Sequence, residues 1–177
     1  MFKVGFAYDS HKFSSDRKLI IGGVVIPSTK GLMGHSDADV LTHALMDALL
    51  GALAEGDIGK YFPDDDPQYK DISSLKLLRT VVERVESSGY VINNCDLTLV
   101  AEKPKIYPYS DKIIESLSRE MNIKKNKINL KGTTNEKMGF IGRGEGIAAY
   151  AVVSIVEKEI FYFFQRVGKE GSRYDVS

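Results

Sequence analysis

The run GIAAYAVVSIVEK, residues 146–158, constrains the fold more than any other stretch of the chain. Side chains alternate across a strand, so apolar residues at both parities leave neither face suited to water. Such a strand belongs at the centre of a sheet or under cover on both sides. In a chain of 177 residues that cover has to come from helices or from another subunit. Helices are available. Leu41, Ala44, Leu45, Ala48, Leu49 and Ala52 recur three or four apart and predict a helix over residues 39–55, with Asp39, His43 and Asp47 stacked on the face away from the core. Leu75, Leu78, Val82 and Val85 predict a second helix ending at Gly89. Ile113, Ile114, Leu117 and Met121 predict a third. Strands are expected at 2–11, at 18–26 before Pro27, at 91–101 and at 128–134. The order ββ, α, α, β, α, β, β predicts helices layered on a mixed sheet, an α+β or α/β sandwich in one domain spanning residues 1–158. Residues 159–177 change from an aromatic cluster to a polar tail. They read as a C-terminal extension, partly disordered or foreign to the natural chain.

Charge narrows the function. Lys and Arg number 24, as do Asp and Glu, so no broad positive field draws the chain to nucleic acid or anionic lipid. Any phosphate chemistry must be local. No apolar run approaches the roughly 20 residues that span a bilayer. The opening MFKVGFAYDSH lacks the parts of a signal or transit peptide, so a cytoplasmic location is expected. A single cysteine, Cys95, forbids an internal disulfide and any zinc site built from several thiolates.

The three histidines, His11, His35 and His43, all lie in the first quarter of the sequence. Asp9 and His11 are two apart on a strand and project to one face, where a crossing helix could bring His43. Two imidazoles and a carboxylate form the ligand set of an open zinc site, with Asp39 or Asp47 as a partner that fixes the His43 tautomer. A surface Asp–His pair is the alternative. In GLMGHSDADV, Ser36, Asp37 and Asp39 offer helix caps, whereas free amides there with His35 and Ser36 would bind phosphate. The acidic stretch from Asp57 to Asp66 suits polyol hydroxyls or a hard cation, or is a solvated turn. Lys103-Pro104-Lys105 follows a strand, where α/β sheets hold ligands. KGTTNEKMGFIGRGEG matches neither the P-loop nor the dinucleotide pattern. Thr133, Thr134 and Glu136 in it suit a diphosphate with a divalent ion, and a glycine-rich hairpin is the plainer alternative. No Ser-His-Asp elbow is present.

Five blocks in this order, DSHKF, IGGVVIP, GLMGHSDADVLTHALMDALLGALAEGDIGKYFPDDDPQYKD, AEKPKIYPY and KGTTNEKMGFIGRGEGIAAYA, resemble the 2-C-methyl-D-erythritol 2,4-cyclodiphosphate synthase family of the non-mevalonate isoprenoid pathway. The likeness runs from Val4 to about Lys158. It implies a mixed sheet with helices on one face, three such sheets facing inward in a homotrimer, and active sites between subunits. It implies one zinc ion per subunit on Asp9, His11 and His43, and magnesium or manganese at Glu136. The implied reaction converts 4-diphosphocytidyl-2-C-methyl-D-erythritol 2-phosphate to the cyclic diphosphate and CMP, a phosphorus–oxygen lyase reaction. His35 and Thr134 correspond to transition-state stabilisers. The implied substrate contacts are Asp9, His11, His35 and Ser36; then Asp57, Ile58 and Gly59 for the methylerythritol, with Phe62, Pro63, Asp64, Asp65 and Asp66 around it. Ala101, Pro104, Lys105, Ile106 and Tyr107 would form the cytosine pocket. Thr133, Thr134, Asn135, Glu136, Phe140 and Arg143 complete the set. Gly5-Phe6-Ala7 departs from the more usual Gly-x-Gly, and Asn135 stands where Thr is frequent. Competing readings are a metal-dependent phosphodiesterase and a non-catalytic trimer whose axial cavity binds an isoprenoid diphosphate.

Overall fold

The computed structural model describes residues 1–171. The strand that dominates the sequence, β7 (Gly146–Glu157), is the middle one of five. It runs antiparallel to β1 (Phe2–Ser14) on one side and to β5 (Tyr90–Val100) on the other. Beyond β5 lies β6 (Ile128–Thr133), paired in parallel, and the two-residue β4 (Gly31–Leu32) pairs with the end of β1, giving the order β4-β1-β7-β5-β6. Parallel neighbours need a crossover, and the helix α4 described below supplies it between β5 and β6.

Three long helices cover one face: α1 (Val40–Leu53), α3 (Ser74–Ser87) and α4 (Ser110–Met121), with the one-turn helix α2 (Ile58–Tyr61) between the first two. The core is a single large cluster shared by these helices and the inward residues Ile147, Ala149, Ala151, Val153 and Ile155 of β7. On β1 the odd positions turn toward α1. At Gly5 the helix comes so close that a Cβ would lie 1.8 Å from the Ala48 carbonyl oxygen, a contact that only glycine permits. Ala44, Ala48 and Ala52, one turn apart, are all buried and give α1 the small-residue stripe that this approach requires.

The even positions of the same strands form the other face. Phe2, Val4, Phe6 and Tyr8 of β1 stand beside Tyr150 and Val152 of β7, and each is at least 37% exposed. The doubly apolar strand is therefore central, but within one chain only one of its faces is covered. α5 (Gly139–Gly142) is a single turn before β7, and α6 (Lys158–Gly171) continues from it without a break. Residues 159–171 of the aromatic extension are thus helical, and its polar end, 172–177, lies outside the described residues.

Two expectations about the first helix change. Residues 18–26 are not one strand but a hairpin of β2 (Leu19–Ile21) and β3 (Val24–Ile26), turned by Gly22 and Gly23 at φ +57° and +75°. This hairpin closes over the start of α1, so the predicted solvent face of the helix does not exist. Asp39 is fully buried. Its two carboxylate oxygens accept from the amides of Gly22 (2.9 Å) and Gly23 (2.7 Å) and from the amide (3.1 Å) and hydroxyl (2.8 Å) of Thr42. A helical wheel assigns a polar stripe to water because it assumes one covered face, and α1 is covered nearly all round.

The approach at Gly5 sets a stability test. Gly5→Ala places a methyl group into backbone that cannot yield, and overpacking of this kind costs about 3 kcal/mol. Urea unfolding followed by circular dichroism is expected to show that loss; an unchanged midpoint would contradict the packing described.

Candidate metal centre

The parity of β1 delivers Asp9 and His11 to the side facing α1, and α1 presents His43 there from its first full turn. The three side chains meet. Asp9 Oδ2 lies 2.9 Å from His11 Nε2 and 3.3 Å from His43 Nδ1, and the two ring nitrogens are 3.1 Å apart. His11 Nδ1 is 2.6 Å from the carbonyl oxygen of Met33. A carbonyl only accepts, so Nδ1 carries the proton and the Nε2 lone pair points into the cluster. Asp9 Oδ2 is buried and has no hydrogen-bond donor assigned to it.

Burial opposes ionisation of Asp9, but the hydrogen bonds that His11 and His43 donate to it when protonated, and the charges they then carry, outweigh it and hold the carboxyl well below its usual range. Burial likewise opposes protonation of His11, and the adjacent Asp9 reverses the balance and raises its pKa. These three residues fit a divalent ion. A tetrahedral site with bonds of about 2.0 Å places its ligand atoms about 3.3 Å apart, close to the separations here, and a buried carboxylate oxygen without a donor supplies one of them. Among the described residues no other group of three or more His, Cys, Asp or Glu side chains converges in this way.

The nitrogen of His43 that faces away from the cluster meets neither Asp39 nor Asp47, the partners expected from sequence. Asp39 is committed to the hairpin turn, and Asp47 Oδ1 accepts from the amide of Ile58 at 2.7 Å. His43 Nε2 instead lies 3.0 Å from Ser36 Oγ and 2.9 Å from Ser74 Oγ. Ser74 went unnoticed because it is 31 residues away and reads as part of an ordinary helix start.

Around the cluster, residues 33–38 form a close-fitting loop. A Cβ on Gly34 would lie 3.1 Å from the His11 ring. Arg17 donates to the carbonyls of Gly34 and Ser36 and pairs with Asp71 at 3.1 Å, so the loop bearing His35 is clamped from both sides of that residue. Ser36 is buried, with its hydroxyl turned inward. Of the two readings of the helix start, the cap is the one seen: Asp39 accepts from the amide of Thr42. In the acidic stretch, Asp57 caps α2 by accepting from Lys60, with Ile58 and Gly59 in that turn. Phe62 stacks edge-on to Tyr69, Asp66 caps the turn at Pro67–Tyr69, and Pro63, Asp64 and Asp65 join these pieces.

A second group of predicted residues lies apart from the triad. Ala101, Pro104, Lys105, Ile106 and Tyr107, with Thr133 and Thr134, line a hollow of 310 Å³ that shares no lining residue with Asp9, His11 or His43. Thr134 Oγ1 donates to Glu136 Oε1 at 2.7 Å, and the Asn135 and Lys137 amides donate to Glu102 Oε1 at 3.0 and 3.1 Å. Glu102 thus organises the turn that carries Thr134 and Glu136, a role no local pattern announced. Phe140 does come near the triad, lining an open cleft with Ser10, His11 and Glu145. Arg143 makes a two-pronged pair with Glu145 at 2.7 and 3.2 Å.

A sequence model of the YgbB family matches residues 2–156. The 2-C-methyl-D-erythritol 2,4-cyclodiphosphate synthase of Caldicellulosiruptor bescii is 54% identical over 157 residues, covering 89% of this chain and all of that protein. A structure described as IspF of Plasmodium falciparum in complex with CDP superposes with a TM-score of 0.78 at 34% identity, over 89% of this chain and 97% of that one. The bifunctional IspDF of Campylobacter jejuni gives 0.86 at 38% identity; this chain covers 89% of itself but only 42% of that longer protein.

The raised pKa of His11 fixes the direction of a pH effect. A proton on Nε2 must leave before a metal binds there, so affinity falls as pH drops through the neutral range and metal uptake releases a proton. Calorimetric titration of metal-free protein with zinc, at pH 6.5 in buffers of different ionisation enthalpy, is expected to show that release. His43→Ala is expected to lose stoichiometric uptake. A heat independent of buffer would contradict the assignment.

Proposed function

The chain belongs to the YgbB family, and on that premise we propose that it is an enzyme that converts 4-diphosphocytidyl-2-C-methyl-D-erythritol 2-phosphate to 2-C-methyl-D-erythritol 2,4-cyclodiphosphate and CMP. The observation that carries this reading is the convergence of Asp9, His11 and His43 on one point. Cys95 is buried and its thiol pKa is pushed up to about 12 by that burial, so it takes no part. No nucleophile from the protein is needed when the attacking group is already in the substrate. An oxygen of the 2-phosphate forms a bond to the β-phosphorus, the bond from that phosphorus to the α-phosphate bridge oxygen breaks, and CMP leaves with the electron pair. The reaction is that of a phosphorus–oxygen lyase.

Zinc held by Asp9, His11 and His43, and magnesium or manganese held by Glu136, supply positive charge to the phosphate oxygens when bound. The remaining work falls to the protein. It must bend the substrate so that attack and departure lie in line, which is where intramolecular reactions gain most of their rate. His35, on the loop clamped by Arg17, and the hydroxyl of Thr134, on exchanging its bond to Glu136 Oε1 for one to the substrate, donate to oxygens that gain charge in the transition state. Asp57 to Gly59 accept from the polyol hydroxyls, with residues 62–66 around them. The hollow lined by Ala101, Pro104, Lys105, Ile106, Tyr107 and Thr133 takes the cytosine. Asn135, Phe140 and Arg143 flank the phosphates.

The triad and the cytosine hollow are separate within one chain, which supports an active site completed by a neighbour. The bare sheet face supports the same assembly: Phe2, Val4, Phe6, Tyr8, Tyr150 and Val152 form an apolar surface that three copies facing inward would cover. A cytoplasmic location agrees with a soluble substrate, and no helix among the described residues is long and apolar enough to cross a membrane.

Phosphorus NMR of the purified chain with the cytidyl substrate is expected to show the cyclic diphosphate and CMP, abolished by chelator. A linear phosphate with CMP would point to hydrolysis and sink the proposal. Thr134→Ala is expected to lower kcat by about 100-fold, the loss typical of one such donor. Light scattering is expected to give three times the chain mass of 19.7 kDa. Val152→Glu, which places a charge on the apolar face, is expected to reduce that to one chain; an unaffected assembly would place the interface elsewhere.

A further inference from the structure

We infer that Ser74, held by Asp37, is a positioning residue that sets the tautomer of His43 and aims its Nδ1 lone pair at the metal centre. The inference rests on reading Asp9, His11 and His43 as metal ligands, and it concerns residues to which the family resemblance gave no role in the site.

A serine hydroxyl has one hydrogen to give. Ser74 Oγ has three polar neighbours: Asp37 Oδ1, to which it donates, His43 Nε2 at 2.9 Å, and the more distant Ser36 Oγ at 3.5 Å. A carboxylate oxygen only accepts, so the hydroxyl hydrogen goes to Asp37, and toward the imidazole Ser74 can offer only a lone pair. His43 must therefore carry its proton on Nε2. A neutral imidazole with Nε2 protonated has its free lone pair on Nδ1, the atom 3.3 Å from Asp9 Oδ2 and 3.1 Å from His11 Nε2. The opposite tautomer would set two lone pairs against each other at 2.9 Å between two buried side chains.

Asp37 is fixed in turn. Its Oδ2 accepts from the backbone amide of Ser74 at 3.0 Å, so both carboxylate oxygens hold the same residue, and its own amide donates to the carbonyl of Ile72 at 3.0 Å. Ser74 is the first residue of α3, fully buried, with a rigid helix behind it. Ser36 Oγ also lies 3.0 Å from His43 Nε2, but no carboxylate orders its hydroxyl, so it can either give or take a proton. The direction of the bond comes from Ser74. The arrangement mirrors His11, whose outer nitrogen donates to the Met33 carbonyl, so two unrelated segments each leave one imidazole lone pair facing Asp9.

The test uses the full-length chain and two variants. Ser74→Ala removes the acceptor. Asp37→Asn keeps the shape but can turn an amide donor toward Ser74 Oγ, freeing the hydroxyl hydrogen to point at His43. Zinc affinity is read by competition with a chromophoric chelator, and the His43 tautomer by nitrogen-15 NMR of the metal-free protein. The expected results are protonated Nε2 in the unaltered chain, a population of protonated Nδ1 in Asp37→Asn, and zinc binding weakened by about 10- to 100-fold in both variants. A helix-start role alone would lower the unfolding midpoint and leave zinc affinity and tautomer unchanged in folded protein; that outcome overturns the inference. Should Ser74→Ala fail to fold, Asp37→Asn decides by the same two readings. An unaltered chain that takes up no zinc, yet shows His43 protonated at Nε2, would remove the metal centre while keeping the tautomer assignment. Protonated Nδ1 in the unaltered chain overturns the inference directly.

Discussion

The distance between β1 and α1 is the constraint on which the rest of the molecule depends. Gly5 removes the only side chain that would hold the two backbones apart, and the alanines of α1 let the helix settle onto the strand. Once that distance is set, rotation of the helix about its axis decides whether His43 reaches Asp9 and His11 or misses them. Asp39 fixes the rotation. By capping α1 and binding both turn amides of the β2–β3 hairpin, it locks the start of the helix to a part of the chain outside the sheet. Burial, followed by the nearby charge of Asp37, pushes the pKa of Asp39 up, and the Gly22, Gly23 and Thr42 donors pull against that rise. The polar groups at the head of the helix thus divide into two sets, one holding the helix and one serving the site.

The same economy explains how a chain without net charge can handle a substrate rich in phosphate. A broad basic surface would attract any polyanion, whereas a cation held by Asp9, His11 and His43 would bring positive charge to one place. Facing acceptors in a part-buried site are unfavourable alone, and the protein tolerates them because Met33 and Ser74 secure the far sides of both rings. Protonation of His11 relieves the arrangement when no cation does, which is why its pKa rises.

How much of this was legible in the sequence depends on the range of each interaction. The parity that pairs Asp9 with His11 is local, and so is the helical spacing that carries His43, so the triad could be assembled on paper. The central place of residues 146–157 was also legible, since a strand apolar on both faces has few alternatives. The fate of Asp39 was not. Its periodicity is that of a solvent-facing residue, and only the hairpin folding over it, turned at two glycines, makes it a core residue. Ser74 and Glu102 act on segments 31 and 33 residues distant, through hydroxyl and carboxylate groups that look ordinary in their own surroundings. The substrate contacts proposed at residues 57–66 and 101–107 rest on family likeness, because the bare spacing of those residues is equally that of a solvated turn.

The position of β7 bears on how the chain reaches its fold. The central strand is also the last one, and its partners begin at residues 2 and 90. Before residues 146–157 emerge from the ribosome, β1 and β5 have nothing between them, and the pairing of β1 with β7 spans most of the chain. Contacts so distant carry a large loop-closure entropy, and domains dominated by them fold slowly. The helices can form as they are made, while the apolar strands wait. Until β7 arrives, the facing edges of β1 and β5 have no partner, the kind of exposed edge that leaves a chain open to pairing with its neighbours.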